Sequence, residues 1–266
     1  MKVLGVELFE EDIPAMVEQM IMECQSGRRL NRLVSATGAH GLVTAVEEPS
    51  FRLLLNSFSY NLPDGMPGVW VGRWKGAKQM QRCYGPDFFA AVMQATAAFP
   101  FRHFLCGGAE GVAEQLKQVC AEKFGNSHVV GVYSPPFREM SEAELQDLAE
   151  QINQLAVDIV WIGLSTPKQE RFAYRLSHYT DVHFLSTVGA AFDFHTGRVR
   201  QAPRWIQRSG LEWFFRLITE PRRLWRRYAK IVPLFIFYNL RELARGEFFP
   251  SEPSDLRSPA DPNQRI

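Results

Sequence analysis

The chain has 266 residues, 46% hydrophobic and 22% charged, with a formal net charge of +1 and four cysteines. Such values suit one large globular domain, or a domain with an appendage, holding enough apolar material for a sizeable core. They exclude a disulfide-stapled or zinc-ribbon protein, because Cys24, Cys83, Cys106 and Cys120 show no metal-type pairing.

The N-terminal MKVLGVELFEED has no charged start, long apolar run or small-residue cleavage site, so a cytoplasmic location is expected. Asp12 reads as the N-cap of a helix reaching about Ser26, with Ile13, Met16, Met20 and Cys24 on one face. A short β-rich run at 33–37 follows and ends in VSATGAHGL. There Thr37 is placed to touch a substrate and His40 to act as an acid or base, although a lone histidine near a strand end is more often structural.

NLPDGMPG at 61–68 holds one carboxylate, Asp64, in a strand-to-helix turn. Pro63 restricts the backbone before it, Gly65 permits a conformation other residues avoid, and Pro67 suits the first turn of the helix MPGVWVGRW. Two readings stay open from this turn alone: Asp64 caps the helix beginning near Met66, or it is a general base or substrate anchor.

Beyond it, strand-like runs at 102–106, 128–132, 157–163 and 183–188 alternate with helical patterns at 85–98, 109–124, 141–155 and 167–178. This alternation predicts an α/β fold with a mostly parallel sheet flanked by helices. In such sheets ligands bind at the carboxyl ends of the strands. FLCGGAEG at 104–111 leaves Gly107 and Gly108 bare before a helix, which suits either a phosphate cradle or a tight structural turn. WIGLSTPKQE at 161–170 combines Gly163, Ser165, Thr166, Lys168 and Gln169 at a helix start. That start can bind an anion or sugar hydroxyl, and Ser165 or Thr166 can equally serve as N-cap with Gln169 or Glu170 reaching back. No G-x-S-x-G elbow, metal-ligand cluster or D-x-D pair is present, so neither a hydrolase triad nor a metal site is expected.

After residue 204 the strands cease and two helices are predicted, at 204–217 and 221–245, followed by a polar, Pro-rich tail at 247–266 expected to be disordered. The predicted organisation is a catalytic α/β domain at 1–200, a helical Arg-rich appendage at 201–246 and that tail. From Arg198 to Arg245 there are twelve Lys and Arg against three acids, a net of +9, so the rest of the chain carries −8. Arg forks match phosphates, and the interleaved Trp205, Trp213, Phe214, Phe215, Trp225 and Tyr228 suit a lipid headgroup interface. The expected partner is anionic lipid or a pyrophosphate-bearing ligand rather than nucleic acid. IVPLFIFY at 231–238 is far shorter than the roughly 20 residues of a spanning helix.

Taken together, LPDGMP, the GPDFF turn, GLSTPKQE and VGAAFDFHTGRVRQAPRWIQRSGLEWFFRL resemble, in order and spacing, the WecG/TagA/CpsF family of bacterial glycosyltransferases. The resemblance spans roughly Val3 to Tyr228. It implies inverting, metal-independent transfer of a hexose or N-acetylhexosamine, with no cofactor, from a UDP-sugar to a polyprenyl-diphosphate-linked sugar, for exopolysaccharide, capsule or cell-wall polymers. It further implies a protein peripheral on the inner face of the bacterial plasma membrane. By the same resemblance Asp64 is the general base, with Thr37 also in the catalytic group. Arg82 and Gln169 match positions linked to donor or acceptor contacts, and Arg216, Arg223 and Arg226 fall where arginines hold the diphosphate. A homo-oligomer is allowed, since appendage arginines can complete a site in the same chain or a neighbour's. The rival class is a non-catalytic nucleotide- or anionic-lipid-binding protein using the same sheet edge and basic segment.

Overall fold

The computed structural model describes residues 1–245, so the expected tail at 247–266 lies outside the described residues. A two-residue turn at Leu4 and Gly5, both at positive φ, joins β1 (Lys2–Val3) to β2 (Val6–Glu7) in an antiparallel ribbon. α1 (Ile13–Gln25) follows, with Asp12 Oδ1 accepting the Ala15 N–H at 3.0 Å, so the expected cap is present.

The main sheet begins with β3 (Arg32–Thr37), which leads into α2 (Ala39–Glu47) and α3 (Pro49–Asn56), then β4 (Tyr60–Pro63) and α4 (Met66–Trp74). Next come α5 (Gly85–Thr96), β5 (His103–Gly107), α6 (Val112–Phe124), β6 (Val129–Tyr133) and α7 (Glu142–Gln154). β7 (Ile159–Gly163), α8 (Lys168–Leu176), β8 (Phe184–Thr187) and the short α9 (Ala191–His195) complete the sheet region. The six strands pair entirely in parallel, in the order β4-β3-β8-β7-β5-β6. β4 lies at an edge, which explains how a strand can end in Pro63.

One apolar cluster joins α1, α5, α6 and the strands through Met20, Phe89, Leu116 and Trp161. A second, around Leu148, Val160, Ala173 and Leu185, packs α7 and α8 onto the sheet. Strands buried on both faces read as near-continuous apolar runs, which is why most of them are visible in the sequence.

The basic segment contains α10 (Arg204–Arg208), α11 (Glu212–Thr219) and α12 (Pro221–Arg245). The single helix expected at 204–217 is therefore two. It breaks at Gly210, where φ is +72° and a Cβ would stand 2.4 Å from the Trp70 ring. α12 lies against α2, with Ile231 and Phe235 entering a third apolar cluster that includes Val3, Leu42 and Phe51. Ion pairs Lys75–Glu242 and Lys230–Glu47, 2.8 and 2.9 Å, fasten it further. Among the described residues no helix is long and apolar enough to cross a membrane.

Candidate active site

The carboxyl ends of all six strands open on one cleft of about 1750 Å³, to which Gly38, Asp64, Gly108, Pro135, Ser165 and Gly189 each bring a different strand's following turn. A single small ligand typically fills roughly 300–1,000 Å³, so this cleft has room for two substrates. Asp64 is half-buried at its wall, next to the end of β3.

Three contacts hold Asp64, and none is the one its local sequence suggests. Its N–H donates to the Thr37 carbonyl at 3.2 Å, its carbonyl accepts Arg82 Nε at 2.6 Å, and its Oδ1 accepts the Gly85 N–H at 2.7 Å. It does not cap α4, whose N-cap is Gly65 without a side-chain bond; it binds the first turn of α5 instead. Gly65 itself is in ordinary extended backbone, φ −113° and ψ 143°, so the special conformation expected there is not used. Gly85 is the glycine the geometry demands, since a Cβ there would meet the Val188 carbonyl oxygen at 2.8 Å.

Burial pushes the Asp64 carboxyl up to about 6, against the opposing pull of Arg82 and the Gly85 N–H. A carboxylate with that basicity is ionised at neutral pH yet a better proton acceptor than an exposed one. Arg82 lies beneath it, its guanidinium 4.0 Å from the Tyr84 ring centroid and ion-paired with Glu212 of α11. Arg216, Arg223 and Arg227 line the same cleft, Arg216 near enough to act on the Asp64 carboxyl. Glu220 serves the first two, at 3.8 and 2.8 Å, while Arg216 Nε is buried without a partner. Burial first, then Arg216 and Arg223, lower the pKa of Arg227, while Tyr228 and Glu220 oppose the shift. His40 faces the same cations; burial first, then Arg227 and Lys230, lower it to about 4, so its imidazole is neutral at neutral pH.

The remaining predicted residues divide. Arg82, Gly108, Gly163, Ser165, Lys168, Gln169, Arg216 and Arg223 line the cleft with Asp64. Thr37 is buried beneath the floor, its hydroxyl 3.0 Å from Ser35 Oγ and 3.4 Å from Asn61 Oδ1. Gly107 is also buried; at φ +146° a Cβ would strike the Gly163 carbonyl oxygen at 2.5 Å, and the neighbouring Gly108 N–H donates to that oxygen. Gln169 accepts the Gly189 N–H and donates to Glu170, a buried carboxylate that also takes bonds from Ser35 and Thr166. α8 has no side-chain N-cap; the capping pattern survives as side-chain bonds alone, Gln169 reaching back to the Thr166 hydroxyl at 3.3 Å and that hydroxyl donating to Glu170. Arg226 is exposed and lies over its neighbour Trp225, away from the cleft.

Arg227 and Glu212 also line the cleft and were not among the predicted site residues. Arg227 was detectable: Leu224, Ile231 and Phe235 are buried at helical spacing, and residue 227 falls on their face while 226 does not. Glu212 pairs with a residue 130 positions away and leaves no local signal.

A carboxylate of raised basicity and several arginines thus share one cleft at the carboxyl edge of a parallel sheet, where enzymes of this architecture bind their ligands. The model of the glycosyl transferase WecG/TagA/CpsF family matches residues 1–248, and the chain belongs to that family of glycosyltransferases. It is similar to the N-acetylglucosaminyldiphosphoundecaprenol N-acetyl-beta-D-mannosaminyltransferase of Bacillus subtilis, 26% identical over 231 residues, covering 86% of this chain and 87% of that protein. A protein of the same name from Bacillus spizizenii is 29% identical over 187 residues, 70% of each chain.

Proposed function

We propose that this glycosyltransferase moves an N-acetylhexosamine or hexose from a UDP-sugar to a sugar carried on a polyprenyl diphosphate, with inversion and without a metal ion. The names of the two Bacillus relatives specify such an acceptor, N-acetylglucosaminyldiphosphoundecaprenol, and an N-acetylmannosaminyl group transferred. The observation that carries the reading is that Asp64 shares with Arg216, Arg223 and Arg227 one cleft large enough for two substrates.

In the reaction Asp64 takes the proton of the acceptor hydroxyl as that oxygen attacks the anomeric carbon. The bond to the nucleoside diphosphate breaks on the opposite face, which inverts the centre. The nucleoside diphosphate leaves with the electron pair of the broken bond, one more negative charge than it carried in the donor, and that growing charge must be met in place. Fixed arginines supply that stabilisation, and Arg216, with a buried donor unpartnered, is ready to do so. Thr37 supports the turn from below, through the bond of its carbonyl to Asp64.

The protein acts at the membrane surface. Trp205, Phe214, Ile218 and Trp225 are exposed beside the exposed Arg222 and Arg226, a greasy and cationic surface suited to anionic headgroups. The test is a screen of UDP-sugars, UDP-N-acetylmannosamine first, against a polyprenyl-diphosphate-linked N-acetylglucosamine with mass-spectrometric readout. One added sugar residue is expected. Binding of UDP and acceptor with no transfer from any donor would favour the non-catalytic reading instead.

A further inference from the structure

The cleft does not end at its cations. Past Arg227 it continues as a trough between α4 and α12, walled by Trp70, Val71 and Trp74 on one side and by Phe235, Ile236 and Leu240 on the other. Its direction is set at both ends. α4 starts two residues after Asp64, and Lys75, just beyond its last turn, is ion-paired with Glu242 near the end of α12 at 2.8 Å. The nine residues of α4 give the trough a length of about 13 Å.

No charged side chain of α4, and none of α12 beyond Arg227, lines this stretch. Yet Trp74 is 70% exposed and Leu240 59%, so apolar surface stands open next to the site. The wall is fixed in place: Trp70 packs on the backbone of Gly210, where no Cβ would fit. A surface made only for bilayer contact mixes cations among its aromatics, as Arg222, Trp225 and Arg226 do elsewhere on α12. This trough instead separates them, cations at the head and, apart from the amide of Asn239, an apolar lining behind. That is the order of groups in a prenyl diphosphate.

We infer that the trough binds the first isoprene units of the acceptor's lipid chain, so that the protein, and not the bilayer alone, reads the hydrocarbon next to the diphosphate. The inference rests on the proposed acceptor: it seats the acceptor's own diphosphate at Arg223 and Arg227, and leaves Arg216, whose charge reaches Asp64, to the departing nucleoside diphosphate. The hydrocarbon leaves the arginines along α12, and the sugar end points back to Asp64.

The test is calorimetric titration of the full chain with inorganic diphosphate, geranyl diphosphate and farnesyl diphosphate, each below its micelle concentration. Affinity should rise with chain length, farnesyl diphosphate binding at least about ten-fold tighter than inorganic diphosphate. Leu240→Glu should remove that gain and leave inorganic diphosphate binding unchanged, and Trp74→Glu should repeat the result from the other wall. Phe237→Glu, exposed on the same helix but outside the trough, should keep the full gain. Equal affinity for all three ligands would overturn the trough while leaving the cation site standing. A gain that survives Leu240→Glu and Trp74→Glu, or is lost equally in Phe237→Glu, would overturn it as well. Binding of none of the three would overturn the diphosphate placement and the trough with it.

Discussion

Glu212 of α11 is ion-paired with Arg82, and Arg82 Nε in turn donates to the backbone carbonyl of Asp64 at 2.6 Å. The basic segment is therefore coupled to the turn that carries the carboxylate. The Arg82 and Glu212 side chains are 14% and 12% exposed, so removing either strands a mostly buried charge. Such breaks cost about 3–5 kcal/mol. Glu212→Ala and Arg82→Ala should each lower the melting temperature markedly. The double variant should cost less than the two singles combined, with a coupling of about 0.5–3 kcal/mol in a double-mutant cycle.

Arg226 and Arg227 are adjacent in sequence and different in role. Arg227→Ala should lower kcat/KM by about ten-fold or more, as expected for a charge-assisted contact to diphosphate, and weaken binding of inorganic diphosphate. Arg226→Ala should leave soluble-assay turnover near wild type while reducing flotation with anionic vesicles. Steady-state kinetics and a liposome flotation assay measure the two effects separately.

Gly85→Ala is predicted to be harmful although alanine favours a helix. The added methyl would meet the Val188 carbonyl oxygen at 2.8 Å and push the start of α5 away from Asp64. Overpacking of this kind costs about 1–3 kcal/mol. Thermal melts should show the loss, and kcat should fall with it because the carboxylate loses its 2.7 Å donor.

The α/β alternation was legible because the central strands are buried on both faces and so are largely apolar, β7 throughout and β5 after His103, with Ser and Thr near the ends of β3 and β8. The pair α2 and α3 was not: one residue, Glu48, separates them, and the glycine-rich start of α2 reads as a loop. β4 entered only as the strand implied ahead of the Asp64 turn, without bounds, being four residues that include Asn61 and Pro63. Asp64 itself was legible as a residue on a turn, but its restraints were not. They come from Thr37, Arg82 and Gly85, which converge only once β3, β4 and α5 are assembled. Neighbouring prolines and glycines indicated rigidity in the right place through the wrong bonds.

Stability should record the same buried carboxylate. The native pKa of Asp64 is raised from 3.8 to about 6, so between those values the folded state holds the proton more tightly than the unfolded chain. Raising pH through that window therefore costs the fold stability, and above about 6 the penalty is constant. Asp64→Asn removes the penalty and still offers an oxygen to Gly85. Its melting temperature should match or exceed wild type at pH 8, the advantage shrinking as pH falls toward 4.

The central claim is that Asp64 is the base, and the pH dependence of sugar transfer to the lipid-linked acceptor tests it most directly. Wild-type kcat/KM should rise with pH and level off above an apparent pKa near 6. Asp64→Asn should be folded, about 10²–10⁴-fold slower, and without that limb. Near-wild-type turnover in Asp64→Asn, with the limb intact, would contradict the account.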